Sequence, residues 1–387
     1  MKRVLHEIRA TAPGPTLVGL GGMHGNEPAG LRALDQVGRE FDGLGLLRGE
    51  FVALAGNLPA LAAGVRFVDR DLNRIWDADG GQRGREEREL GELRDAFAQV
   101  RKRARGPVYL VDLHTTSGDG PPFTILGDTL ANRGMALALP VPMVLGLADA
   151  LPGTLVDSLD TVGVASLAFE AGRHDDPESI QRSADALRVL LGWLGMVVGG
   201  RDQVRESRIR LSRTSRGHPS ALRLTHRHAL EPDRDFRMQM GLRSFERVRR
   251  GDLLAQEGGA QVRAPTSGHI LLPLYQSKGD DGFFMGTAVS RSWLRISEAL
   301  RRRRVDRLLR FLPGIIPEKD VGPGRGVAFR VHPLIRKIFF PSLFRLLGYR
   351  AIPRPDGRYL LVRRPEPTEL TSAEETDTPM APAGREG

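Results

Sequence analysis

The first 200 residues are built around short, nearly continuous apolar runs: "TLVGL" (16–20), "FVALAG" (51–56), "VYLVDL" (108–113), "PMVLG" (142–146) and "VASLAFE" (164–170). Helical patterns lie between or after them, at 28–40, 85–104, 130–138 and 177–195. A strand apolar on both faces needs cover on both sides, so this alternation predicts an α/β fold with a mostly parallel sheet covered by helices on both faces. The helix at 177–195 has a clear start, with Asp175 and Asp176 before Pro177 and Glu178 in its first turn.

After about residue 200 the texture changes. Short alternating segments such as "SALRLTHRHAL", "DFRMQMG", "GHILLPL" and "GFFMGTAV" are punctuated by Gly and Pro, which predicts a small all-β barrel-sandwich. From 296 the string "ISEALRRRRVDRLLRFL" reads as a helix, a second helical stretch is expected around 333–347, and "YRAIPRPDGRYLLVRR" reads as a hairpin turning at Asp356-Gly357. The expected organisation is 1–203 catalytic, 204–295 small β, 296–364 a basic α+β extension, and 365–387 a disordered tail rich in Pro, Glu, Thr and Ala.

At 387 residues the chain is long for a single core. It has no cysteine, which excludes disulfides, thiolate ligands and cysteine nucleophiles together. No apolar run reaches transmembrane length and the N-terminus has no signal-type apolar region, so a cytoplasmic location is expected. The net charge of +10 is uneven. Residues 1–200 carry 21 Lys and Arg against 26 Asp and Glu, whereas residues 301–350 carry 13 against 3. A basic amphipathic segment can lie on an anionic membrane surface. The favoured expectation is that residues 301–350 pack their apolar faces on the small β domain and expose arginines. Nucleic acid is not expected as a partner, since no nucleic-acid motif accompanies the charge.

Three apolar runs end in ionisable residues. "TLVGL" leads into "GGMHGNE", with His24 and Glu27; "VYLVDL" leads into His114; and "VASLAF" leads into Glu170. In an open parallel sheet, function gathers beyond the carboxyl ends of strands, so these residues converge on one edge. Two imidazoles and a carboxylate suit a zinc ion with an open position, and His24, Glu27 and His114 are the expected ligands of one Zn²⁺ per chain. Gly21, Gly22 and Gly25 let the backbone turn sharply beside the ion. Glu170 remains free to move protons. The loop "GNLPALAAGVRFVDRDLNRIW" (56–76) adds Arg66, Arg70, Asn73 and Arg74, a set suited to an anionic substrate.

In order and spacing, "GGMHGNEPAG", "GNLPALAAGVRFVDRDLNR", "DLHTT" and "FEAG" resemble the aspartoacylase/succinylglutamate desuccinylase family, a branch of the zinc carboxypeptidase superfamily. The resemblance covers about residues 15–290. It implies a zinc-carboxypeptidase-like catalytic domain with a mixed sheet covered by helices, followed by a small β domain, zinc on His24, Glu27 and His114, and Glu170 as general base and then acid. It also implies Arg66 polarising the scissile carbonyl, and Asn73 and Arg74 gripping a substrate carboxylate. The implied activity is hydrolysis of a linear amide in an N-acylated amino acid or similar small acidic amide. The alternatives are a metallocarboxypeptidase acting on peptides or cell-wall fragments, and a peripheral membrane or anion-binding protein acting through the basic extension. The resemblance does not extend to 296–364, and it assigns no role to Arg173 and His174.

Overall fold

The computed structural model describes residues 1–78, 84–197, 201–231, 234–318, 328–332, 343–354 and 358–366. The N-terminal half runs β1 (Val4–Arg9), β2 (Thr16–Gly21), α1 (Ala29–Leu44), β3 (Glu50–Ala55), α2 (Leu58–Ala63), α3 (Arg85–Arg103) and β4 (Val108–Thr116). It continues with β5 (Phe123–Leu126), α4 (Leu130–Ala138), β6 (Met143–Leu145), α5 (Leu147–Ala150), α6 (Leu155–Thr161), β7 (Ala165–Arg173), α7 (Glu178–Trp193) and α8 (Arg201–Thr214).

The unbroken apolar character of the first strands follows from cover on both faces. Along β2, Leu17 packs with Leu34, Val37 and Phe41 of α1 and Leu187 and Leu190 of α7. The next residue, Val18, points the opposite way. It joins Leu90, Leu93, Phe97 and Val100 of α3. β2 pairs in parallel with β3 and β4, and β4 in parallel with β7. The sheet is mixed, as expected, because β1 runs antiparallel to β3 and β5 antiparallel to β7.

Beyond α8 come β8 (Ala221–Ala229), β9 (Phe236–Met238), β10 (Arg247–Val248), β11 (Leu253–Glu257), β12 (Ala260–Arg263), β13 (Gly268–Leu271) and β14 (Asp281–Ala288). Here the structure departs from the expected layout. The boundary set at 203/204 falls inside α8, whose Leu211 joins the main core and whose Ser207 hydroxyl donates to buried Asp185 at 2.8 Å. β8 pairs in parallel with β6 and extends the sheet of the N-terminal half. The result is one 11-stranded sheet of order β1-β3-β2-β4-β7-β5-β6-β8-β14-β13-β10. A separate three-stranded sheet, β12-β11-β9, packs against it, with Met238 and Leu254 meeting Ile270, Phe283 and Met285 of β13 and β14. The alternation in "ALRLTHRHA" is that of a strand leaving the doubly covered centre of a sheet, where one face meets solvent.

The extension begins with α9 (Arg291–Arg302), capped by the Ser290 hydroxyl, which accepts from the Trp293 amide. A 3₁₀ segment, Val305–Phe311, follows. Then come β15 (Ile315–Glu318), β16 (Ala328–Val331), β17 (Tyr349–Pro353) and β18 (Tyr359–Arg363), an antiparallel sheet of order β15-β16-β18-β17. The expected hairpin is present as β17 and β18. Its Asp356-Gly357 turn, most of the helix expected at 333–347 and nearly all of the tail lie outside the described residues. The buried apolar residues of α9 and of the described part of 301–350 turn inward, but onto the main core and the extension's own sheet rather than the small β sheet. Leu294 joins the main core, and Leu300 packs beside Leu309, Phe329 and Tyr349. Arg301, fully enclosed, holds Asp128 at 3.1 Å and Glu366 at 2.8 Å. Among the described residues, no helix is long and apolar enough to cross a membrane.

Candidate metal centre and active-site cleft

The β2–α1 turn carries two of the expected ligands, and it can form only with particular glycines. Gly22 takes φ +76°, and a Cβ on Gly25 would lie 2.0 Å from the Ala60 carbonyl carbon. That close approach sets the turn against α2 and brings the Gly25 amide to the Arg66 carbonyl at 3.2 Å. His24 and Glu27 thereby face His114 from the end of β4. One ligand atom from each of the three lies within 4.8 Å of the others, and all three residues are buried.

The contacts sort the nitrogens of each ring. Nδ1 of His24 lies 2.8 Å from Glu27 Oε1, and Nδ1 of His114 lies 3.1 Å from Glu27 Oε2. The Nε2 atoms turn outward to carboxylates: His24 to Asp71 at 3.1 Å and His114 to Asp112 at 2.8 Å. A carboxylate behind each imidazole fixes its tautomer and raises its basicity, the arrangement that supports metal-binding histidines. The sequence motifs mark neither Asp71 nor Asp112 as a support for these rings. Asp112 was legible, since residues i and i+2 of a strand share a face. Asp71 reaches His24 only through the fold of a loop.

Charge in the cleft is tightly balanced. Burial works to raise the Glu27 carboxyl, but the His24 and His114 imidazoles outweigh it and hold the group well below the usual range. Burial pulls His114 down, and Asp112 and Glu27 together carry it well above an ordinary imidazole. Glu170, unlike Glu27, goes up: burial, with Glu27 and Asp112 adding to it against His114 and Arg66, pushes it to about 8. Its Oε2 is buried and has no hydrogen-bond partner among the described residues. A buried orphan oxygen beside two imidazoles and a carboxylate is a donor set that fits zinc with an adjacent proton acceptor.

The loop carrying Arg66, Asn73 and Arg74 is organised by a residue with no motif to mark it. Glu86, in the first turn of α3, is completely buried. Its Oε1 accepts from the Val68 amide at 2.7 Å and the Asn57 side chain at 3.1 Å; its Oε2 accepts from the Asp69 and Arg70 amides at 3.0 and 3.2 Å. Arg66 donates to Asp71 at 2.9 Å and stands 3.7 Å from Glu27. The Asn73 side-chain oxygen accepts from the Leu155 amide at 3.0 Å, which leaves its N–H groups for a ligand. Arg74 faces Asp280 and Asp281, each at 3.9 Å. Arg70 points away, to Glu87 at 3.0 Å.

All seven expected site residues, His24, Glu27, Arg66, Asn73, Arg74, His114 and Glu170, line one cleft of about 140 Å³. That is the scale of a cavity which holds a benzene-sized molecule, about 150 Å³. The segment 272–284 closes its far side with Leu272, Pro273, Leu274, Gln276, Asp280 and Phe284. His174 also lines it, with ring nitrogens 2.7 Å from the Thr115 hydroxyl and 3.2 Å from Gln276. Arg173 lies on the surface among Asp175 and Asp119.

Residues 13–126 match the succinylglutamate desuccinylase/aspartoacylase catalytic domain. A probable aspartoacylase from Parasynechococcus marenigrum (strain WH8102) is 36% identical over 140 residues, which cover 34% of this chain and 45% of that protein. The match thus spans less than half the length of that relative. Among solved structures, a succinylglutamate desuccinylase/aspartoacylase from Rhodobacter sphaeroides aligns with a TM-score of 0.56 at 18% identity, covering 74% of this chain and 88% of that one. A Vibrio cholerae succinylglutamate desuccinylase aligns at 0.54 and 17%, covering 72% and 83%. A product-bound ectoine utilization protein from Ruegeria pomeroyi aligns at 0.53 and 20%, covering 73% and 88%. At these identities the structural likeness speaks for the fold, and the fold agrees with the family resemblance carried by the motifs.

Proposed function

Starting from the aspartoacylase/succinylglutamate desuccinylase resemblance, we propose that this chain is a zinc-dependent deacylase that hydrolyses the amide bond of a small N-acylated amino acid. The observation that carries the reading is the single cleft in which a His24–Glu27–His114 cluster meets a buried carboxyl, Glu170, with an unpartnered oxygen.

His24, Glu27 and His114 would hold one Zn²⁺, with Asp71 and Asp112 keeping the imidazoles in the binding tautomer. Zinc in such a site polarises a carbonyl and makes water acidic near neutrality. Glu170 takes the proton of the attacking water and delivers it to the leaving amine, a task suited to a carboxyl with pKa raised toward neutrality. Arg66, aimed by Asp71, donates to the oxygen on which charge develops. Arg74 and the Asn73 amide hold the substrate carboxylate, which converts binding into a near-attack geometry.

The size of the cleft and its closure by 272–284 favour a small molecule over a peptide or cell-wall strand. The deciding experiment supplies zinc to the purified chain and measures amine release from N-acetyl and N-succinyl amino acids and from short peptides. Release from the acyl amino acids at rates well above those for peptides is expected. Peptide cleavage alone would replace the reading with a carboxypeptidase, and inactivity on every substrate would reject it.

A further inference from the structure

The cleft has two chemically unlike groups of lining residues. One is polar, with Thr115, Ser117, His174 and Gln276. The other is a wall of Ile125, Ala148, Leu151, Val156, Ala168 and Phe284. Ala168 stands two residues before Glu170 on β7 and so shares its face, and Ile125 pairs with it across β5 and β7. Ala148, Val156 and Ala168 pack into one cluster with Ile125 against it.

The wall and the carboxylate grip belong to the same piece of structure. The Leu155 amide donates to Asn73, and the Trp76 amide to the Gly153 carbonyl at 3.0 Å. The 151–154 turn and the first residues of α6, which supply Leu151 and Val156, are therefore fastened to the segment carrying Asn73 and Arg74. A substrate whose carboxylate reaches Arg74 lays the side chain of the same amino acid against this wall. Charge points the same way. Arg74 is flanked by Asp280 and Asp281, and the other guanidinium lining the cleft, Arg66, is held by Asp71 beside Glu27, so a second carboxylate beside Arg74 would meet two acidic groups.

We propose that the amino-acid half of the substrate carries an uncharged, apolar side chain, selected by the Ile125–Ala148–Val156–Ala168 wall. This rests on the deacylase reading and narrows its substrate class. An acidic side chain would leave its ionised carboxylate against methyl groups, unpaired and stripped of water.

The test compares the zinc-loaded full chain on N-acetyl-L-leucine, N-acetyl-L-valine, N-acetyl-L-aspartate and N-acetyl-L-glutamate. A kcat/KM for the apolar pair about 100-fold above the acidic pair is expected, the size of discrimination a mismatched pocket provides. Equal or better turnover of the acidic pair overturns the proposal while leaving the deacylase reading standing. Val156→Arg, which adds a cation to the wall, should narrow the ratio about 10-fold or more. An unchanged ratio in a folded variant counts against the wall. If no acyl amino acid is hydrolysed, the deacylase reading fails, and titration calorimetry with free L-leucine and free L-aspartate still decides this point. Tighter leucine binding supports the apolar wall; aspartate binding at least as tight overturns it.

Discussion

His114 and Glu170 stand at the same level of adjacent parallel strands, paired in register across β4 and β7. The pairing places a buried imidazole next to a buried carboxyl, and the same neighbours, Glu27 and Asp112, favour the protonated form of both, which charges the imidazole and keeps the carboxyl neutral.

Glu170→Gln should retain zinc by metal analysis and lose about 10²-fold or more in kcat, as expected for removal of a general base. Unchanged kcat would remove Glu170 from the mechanism. The zinc-free chain gives a second readout. Glu170 holds its proton up to about pH 8, against an ordinary value of 4.5. Between those values the unfolded chain has released a proton that the folded chain keeps, so stability falls as pH rises. Urea midpoints of Glu170→Gln should show a shallower decline over that window.

Asp112→Asn should weaken zinc affinity about 10- to 100-fold, measured by competition with a chelator, because the His114 Nε2 loses the carboxylate behind it. His24→Ala should remove zinc binding and hydrolysis together. Full zinc content in a His24→Ala, His114→Ala double variant would refute the assignment.

Arg74→Ala should damage turnover of carboxylate substrates far more than that of their amide analogues, whereas Arg66→Ala should lower kcat on both. Equal losses for Arg74→Ala would mark it as a structural partner of Asp280 and Asp281.

Glu86→Ala leaves the Val68, Asp69 and Arg70 amides without their acceptor. Each amide left buried costs about 1–3 kcal/mol. A lower thermal midpoint is expected, together with a fall in kcat/KM from the displaced Arg66 loop. Wild-type kinetics would show that the loop holds its shape without Glu86.

Arg301→Leu leaves Asp128 with an incomplete set of partners in a buried site, at a cost of about 3–5 kcal/mol. Burial raises the Asp128 carboxyl, but Arg133 and Arg301 overcome it and hold the group below the usual range. Stability from this source is present above about pH 4 and lost as pH falls further. Acid titration followed by fluorescence should therefore show a smaller acid-induced loss in Arg301→Leu than in the wild-type chain.

Local sequence determined the parts that depend on nearby residues. The runs at 16–20, 51–56 and 108–113 had to be strands covered on both faces, because nothing else buries so many consecutive apolar side chains. The ionisable residues at their carboxyl ends had to share an edge once those strands lay parallel, so His24, Glu27, His114 and Glu170 could be gathered before any distance was known. Tertiary structure decided what depends on distant contacts. The alternation of "ALRLTHRHA" identifies a half-exposed strand, but an edge pairing with β6 and an independent sheet present the same pattern. Joining the main sheet was settled by hydrogen bonds between residues about 80 positions apart, such as Met143 with Ala221. Asp71 behind His24, Glu86 beneath the arginine loop and the apolar wall facing Arg74 each require loops that meet only after the core has packed. A carboxylate acquires its role there from the donors the fold brings to it, and its own sequence neighbours carry no trace of them.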